Sequence, residues 1–255
     1  MKKYFYSVLL LLLINTFAHA KNELFIKKEF IIKGDTLRYR VMYPENYDKK
    51  KSYPLVLFLH GSGERGDDNE KQLVHGASLF TDSLNRHNFQ AIILFPQCPL
   101  KQSWVHRVKK DTKPKDVKSK GLAKPLELAK KLVDYYLKTE SVNKKRIYVV
   151  GLSMGGMGTF DIICQYPNKF AAAIPICGIA NVEHLKKVIK MPIRIYNGSS
   201  DNVVSPEFSR NAYLKLQSLG SQKAEHIEYP GIGHDSWLIA FKEPDFLKWL
   251  FAQKK

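Results

Sequence analysis

Cysteine is scarce in this sequence. Cys98, Cys164 and Cys177 are the only three, and an odd count leaves room for at most one internal bridge. A disulfide-stapled scaffold is excluded. Each of the three lies in or beside an apolar segment, the usual setting of a buried free thiol. No grouping of Cys, His and Asp has the spacing of a zinc site, so neither a metal nor an organic cofactor is expected. Self-similarity with a period of roughly 20–50 residues is absent, which argues against a solenoid or propeller. Beyond residue 14 no apolar run reaches about 18 residues, so the chain trimmed of its first segment would hold no membrane-spanning helix. Acidic residues are also few: 24 Asp and Glu stand against 41 Lys and Arg, a formal charge of +17.

The basic excess is densest between residues 101 and 131, with eleven Lys or Arg against Asp111, Asp116 and Glu127. Such a stretch can draw anionic polymers or surfaces. Lysines recur along the whole chain, however, and no nucleic-acid-binding motif accompanies them. The excess reads as solvated surface, with no nucleic acid as partner.

What is present begins with a leader. Lys2 and Lys3 precede the apolar run VLLLLLI (8–14), and AHA (18–20) carries small residues at the spacing a signal peptidase accepts. Residues 1–20 read as a cleaved export signal and 21–255 as a single domain, destined for the periplasm or the medium. With 44% apolar residues in 255, the chain suits one large α/β domain with a substantial core.

Periodicity orders that domain. FIKKEFIIKG (25–34) and LRYRVMYP (37–44) alternate as two strands around a Gly34-Asp35 turn. YPLVLFLHG (53–61), AIILFPQCP (91–99), RIYVVG (146–151), FAAAIPICG (170–178), PIRIYNG (192–198) and AEHIEYPG (224–231) are further strands; the most continuously apolar of them suit burial on both faces. Helical stretches lie between the later strands. KPLELAKKLVDYYLK (124–138) places Leu128, Leu132, Tyr135 and Tyr136 on one side. SPEFSRNAYLKLQSL (205–219) opens with Ser205 as N-cap and Pro206 at the first helical position. A terminal helical region, 237–253, is interrupted near Pro244. Residues 105–120 show no apolar period and read as an exposed loop. The order predicts a mainly parallel eight-stranded sheet with helices on both faces.

In such a sheet, sites form at the carboxyl ends of strands. GLSMG (151–155) matches G-x-S-x-G where a strand gives way to a helix. Ser153 would sit on a strained turn, with glycines admitting close backbone and a helix N-terminus favouring negative charge. A serine hydroxyl needs a base. His234, in GIGHDSW just beyond the last strand, is the candidate, and Asp201, in YNGSSDNVV beyond another strand, is its acid. Asp235 is too close along the chain to His234 to serve. The order Ser153, Asp201, His234 suits this fold. Oxyanion donors would be the Met154 amide and one from HGSGERG (60–66), Ser62 or Gly63. His60 would brace that loop. Glu64 and Arg65 either pair to shape the pocket or form an exposed loop pair.

These motifs, with FPQCP and the tryptophan that follows it, resemble the α/β-hydrolase superfamily. Within it they resemble secreted bacterial esterases related to feruloyl and acetylxylan esterases, polyhydroxybutyrate depolymerases and predicted peptidases. The resemblance spans roughly residues 25–253. It implies a triad of Ser153, Asp201 and His234, oxyanion donors at Ser62 and Met154, and a substrate site at Gly63, Trp104 and Trp237. The expected activity is a serine carboxylesterase acting through an acyl-enzyme, on small-molecule esters or acyl groups attached to carbohydrate, without metal or cofactor. Other expectations are a serine peptidase of the same fold, a lipase or phospholipase, and a non-catalytic binding protein. No propeller or lid domain is present to sort peptides, no long amphipathic apolar lid is evident, and intact Ser153, Asp201 and His234 argue against an inert shell.

Overall fold

The computed structural model describes residues 23–106 and 121–255. The leader and residues 107–120 of the basic stretch lie outside the described residues. All eight expected strands form: β1 (Ile26–Ile32), β2 (Asp35–Met42), β3 (Tyr53–Leu59), β4 (Ile92–Pro96), β5 (Val142–Leu152), β6 (Ala172–Ile176), β7 (Ile193–Gly198) and β8 (Ala224–Tyr229). They make one sheet in the order β1-β2-β4-β3-β5-β6-β7-β8. β2 pairs antiparallel with β1 and β4, and every later pairing is parallel. The α/β-hydrolase expectation holds.

Alternate residues of each central strand feed opposite cores. Leu55, Leu57 and Leu59 of β3 pack into one, and Val56 and Phe58 into the other. Among the described residues three α-helices cover the first face: α3 (Lys124–Thr139), α4 (Met154–Gln165) and α5 (Glu207–Ser218). The second face receives α1 (Ala77–Thr81), α6 (Trp237–Ala240) and α7 (Phe246–Ala252), while α2 (Ser83–Asn88) follows α1 directly. The terminal helical region is indeed broken before Phe246, as Pro244 requires.

In α3 the buried residues Leu126, Leu128, Ala129, Leu132, Val133 and Tyr136, with Pro125 at its start, follow the three-and-four spacing of a helix face, so Leu128, Leu132 and Tyr136 are buried as expected. Tyr135 is 47% exposed and stands off that face, which corrects its assignment. The exposed side carries Glu127–Lys131 and Lys130–Asp134 pairs, both at 2.7 Å and one turn apart. Leu132 is fully buried, so Leu132→Ala should cost about 2–5 kcal/mol. The helix starts one residue later than expected: Pro206 is its N-cap residue, and Ser205 Oγ only loosely accepts from the Glu207 N–H, at 3.4 Å. β5 begins four residues earlier than its apolar run, because Lys144 and Lys145 are exposed there and break the pattern.

Among the described residues no helix is long and apolar enough to cross a membrane. All three cysteines are free and buried. Burial pushes each of their thiols up to about 12.

Candidate active site

Ser153 follows β5 directly and caps α4, with φ 52° and ψ −116°. A non-glycine residue at positive φ is strained. Its amide donates to the Ile176 carbonyl at 2.8 Å, tying the turn to the end of β6. Two glycines permit the turn. A methyl on Gly155 would stand 1.9 Å from the Leu59 carbonyl oxygen, and one on Gly151 would stand 2.2 Å from the Gly155 oxygen. Neither distance is possible, so the helix can approach β3 and β5 only with glycine at both positions.

Asp201 lies three residues past β7. Its Oδ1 accepts from the amides of Val203 and Val204, both at 2.9 Å. Its Oδ2 is 2.7 Å from His234 Nδ1. A carboxylate bonded so can only accept, which assigns the proton to Nδ1 and leaves Nε2 as acceptor. His234 Nε2 is 2.9 Å from Ser153 Oγ, which donates to it. The loop that carries His234 is drawn in because Ser200 donates to the Ile232 carbonyl at 2.9 Å. Asp235 is exposed and takes no part.

The third element is the loop after β3. Gly61 lies beside the nucleophile position: a methyl there would be 3.6 Å from Ser153 Cβ. Ser62 and Gly63 open a single 3₁₀ turn, Ser62–Glu64, and Met154 opens α4. The first amides of a helix have no acceptor within it, so these amides are available to a ligand oxygen. His60 is fully buried. Its Nδ1 donates to the Gly61 carbonyl at 2.6 Å, and its Nε2 accepts from the Cys98 amide at 2.9 Å. Burial pulls its pKa down to about 4, so it is neutral. His60 braces the loop.

Two expectations change. Trp104 is fully buried, with its indole N–H on the His60 carbonyl at 3.0 Å. It offers no surface to a substrate and supports the loop from below. Glu64 and Arg65 do not pair. Arg65 donates to the carbonyls of Ser62 at 2.8 Å and Gln102 at 3.4 Å, and Glu64 faces His75. Trp237 stands edge-on to His234, with ring centroids 5.3 Å apart. Gly63 is exposed on the loop.

Sequence reasoning missed two supports. Gln97, fully buried, donates to the Glu64 carbonyl at 3.2 Å and Asp68 Oδ1 at 2.9 Å, and accepts from the Asn69 amide at 2.7 Å. It pins the loop through long-range contacts no motif announces. Cys177, at the end of β6 with φ 49°, lies behind the histidine. Its Sγ is 2.8 Å from Ser236 Oγ and donates to the His234 carbonyl at 3.2 Å. A positive φ at a cysteine has no sequence signature.

Cys177, Asp201 and His234 bring one ligand-type atom each within 4.8 Å of one another. This is a metal-type set that sequence spacing concealed. The thiol is held protonated by burial, and thiol, carboxylate and ring nitrogen already bond to protein groups. Hydrogen bonding accounts for the cluster.

A strained serine after a parallel strand, bonded to a histidine that is bonded to a buried carboxylate, calls for comparison with known chains. Residues 46–244 match the phospholipase/carboxylesterase family model. The chain belongs to that family. A solved thermostable esterase is 32% identical, with a TM-score of 0.84, over 91% of this chain and 64% of that one. A bifunctional acetylxylan esterase/xylanase of Neocallimastix patriciarum is 29% identical over 60% of this chain. An uncharacterised secreted protein of Arthroderma benhamiae is 26% identical over 91%. The chain spans only 20% of the Neocallimastix protein and 27% of the Arthroderma protein.

Proposed function

We propose that this family member is an exported serine hydrolase that cleaves carboxylic esters, with acyl groups on carbohydrate as its substrates. The observation that carries the reading is the continuous relay Asp201–His234–Ser153, at 2.7 and 2.9 Å. Ser153 Oγ attacks the ester carbonyl while His234 Nε2 takes its proton. Asp201 holds the imidazole in the required tautomer and stabilises the imidazolium. The amides of Met154 and Ser62 receive the oxyanion. His234 hands the proton to the leaving alcohol, and the acyl group stays on Ser153. Water, deprotonated by the same imidazole, then releases the acid.

The carbohydrate part rests on the acetylxylan esterase named among the relatives and on the motif resemblance. Export rests on the composition of residues 1–20 and on a relative named as secreted. The test is a panel of acetylated, feruloylated and aliphatic esters, with peptide amides alongside, for wild type and Ser153→Ala. A fluorophosphonate should label the wild type alone. Ester turnover should fall on the order of 10⁴-fold or more in the variant while the fold persists. Full activity in a folded Ser153→Ala protein defeats the nucleophile assignment, and a preference for peptide amides turns the reading to a peptidase.

A further inference from the structure

The loop that follows β3 carries three glycines, Gly61, Gly63 and Gly66. Between His60 and Glu70 its one regular piece is the 3₁₀ turn Ser62–Glu64, which no side chain caps. Glycine leaves a backbone free to move. An oxyanion donor needs the reverse, because a misplacement of about 1 Å can cost about a hundredfold in rate. Groups outside the loop have to hold it.

Cys98 fixes the near end: its amide donates to His60 Nε2 at 2.9 Å, and its carbonyl accepts from the Gly66 amide at 3.1 Å. Asn69 fixes the far end. It is 7% exposed and stands at φ 55°, a region that residues other than glycine seldom enter. All four of its polar groups are engaged. The amide donates to Gln97 Oε1 at 2.7 Å, and the carbonyl accepts from Arg40 Nε at 2.6 Å. Oδ1 accepts from Gln72 Nε2 at 2.5 Å, and Nδ2 donates to the Lys28 carbonyl at 3.2 Å.

Gln97 joins this far end to the oxyanion turn. Its own amide is tied to the sheet, donating to the Arg38 carbonyl at 2.8 Å. Its side chain passes beside Gly66, where a methyl would stand 3.0 Å from Nε2. Nε2 donates to Asp68 Oδ1 and to the carbonyl of Glu64, the residue that closes the turn Ser62 opens. The position asks one neutral side chain for two donors and one acceptor. A primary amide supplies that set, and a carboxylate or a thioether does not.

We infer that Gln97 and Asn69 are positioning residues for the oxyanion step. Together they latch the loop to the sheet, so that the Ser62 amide is in place before an ester arrives. Stabilisation of that kind acts on the transition state and leaves ground-state binding alone. This inference rests on the ester-hydrolase reading, with Ser62 as one of its two donors.

Two measurements test it, on wild type, Gln97→Met and Asn69→Gly. Gln97→Met keeps the side-chain length and removes its three hydrogen bonds. Asn69→Gly keeps the backbone bonds, suits a positive φ and removes the side-chain pair alone. The first measurement is hydrolysis of p-nitrophenyl acetate. In Gln97→Met kcat should fall about tenfold to a hundredfold, with KM within about twofold of wild type. Asn69→Gly should lose less. The second is hydrogen–deuterium exchange, which needs no turnover. Amides of residues 61–70 should exchange faster in both variants, while those of α4 keep wild-type rates. A wild-type kcat in folded Gln97→Met overturns the inference. So does a raised KM at unchanged kcat, and so does a lost kcat with exchange over 61–70 unchanged. If Gln97→Met does not fold, Asn69→Gly decides by the same criteria. Faster exchange in the variants of a protein that hydrolyses no ester upholds the latch and defeats the hydrolase reading instead.

Discussion

His234 stands between two neighbourhoods of similar chemistry and opposite treatment. Behind its Nδ1 every polar group is engaged: both oxygens of Asp201, the Cys177 thiol and the Ser236 hydroxyl all have partners. Beside its ring the buried Trp237 indole N–H has no hydrogen-bond partner among the described residues, and beyond it Glu64 stands 3.7 Å from His75. Each side pairs a carboxylate with an imidazole, at 2.7 Å in one and 3.7 Å in the other. A saturated buried network holds one geometry. A buried donor left without a partner costs free energy. The closed side keeps the imidazole aligned.

The largest expected break comes from the closed side. Asp201→Asn keeps the shape, but its amide group can place a donor against Nδ1 and reverse the tautomer. The value of kcat should fall about 10⁴-fold with thermal stability near wild type. A loss below tenfold would mean that the engaged carboxylate is not what orients His234. The next effect concerns His60, a third imidazole, buried and bonded at both nitrogens. Its folded pKa of about 4 lies below the ordinary 6.5. Between those values the unfolded chain binds a proton that the folded chain refuses. Stability present above about pH 6.5 is therefore lost as pH falls towards 4, on the order of 3 kcal/mol for this group. Denaturant unfolding from pH 7 to 4 should show that loss, and His60→Asn should lack its share of it. An identical slope in both proteins would place the acid sensitivity elsewhere.

The smallest effect sharpens the contrast most. Cys177→Ala removes the thiol bonds to Ser236 and the His234 carbonyl, so kcat should fall about tenfold with KM unchanged. Cys177→Ser keeps a donor and an acceptor and should recover most of the loss. Iodoacetamide should leave the native enzyme active, because the thiol is buried and protonated. Equal kcat in the Ala variant and wild type would reduce the closed side to Asp201 alone.

Much of this molecule was legible in the linear chain. Continuous apolar runs predict strands buried on both faces, and all eight form, β5 starting four residues before its apolar run. Glycine at 151 and 155 announces a turn that admits close backbone. Ser153, Asp201 and His234 each sit just past a strand, so their arrival at one edge follows from a parallel sheet. Local period and turn chemistry act over a few residues, and that information is local. What only the tertiary structure decided comes from strand order and register. Cys177 meets Ser236 across 59 positions and His60 meets Cys98 across 38. Trp104 was a wall in prospect and is a buried prop in fact, because its side chain turns to the carbonyl of His60. Glu64 faces His75 and not its neighbour Arg65, because the 3₁₀ turn aims adjacent side chains apart. Such pairings depend on which strands lie side by side, and no residue type or spacing encodes that before the sheet has assembled.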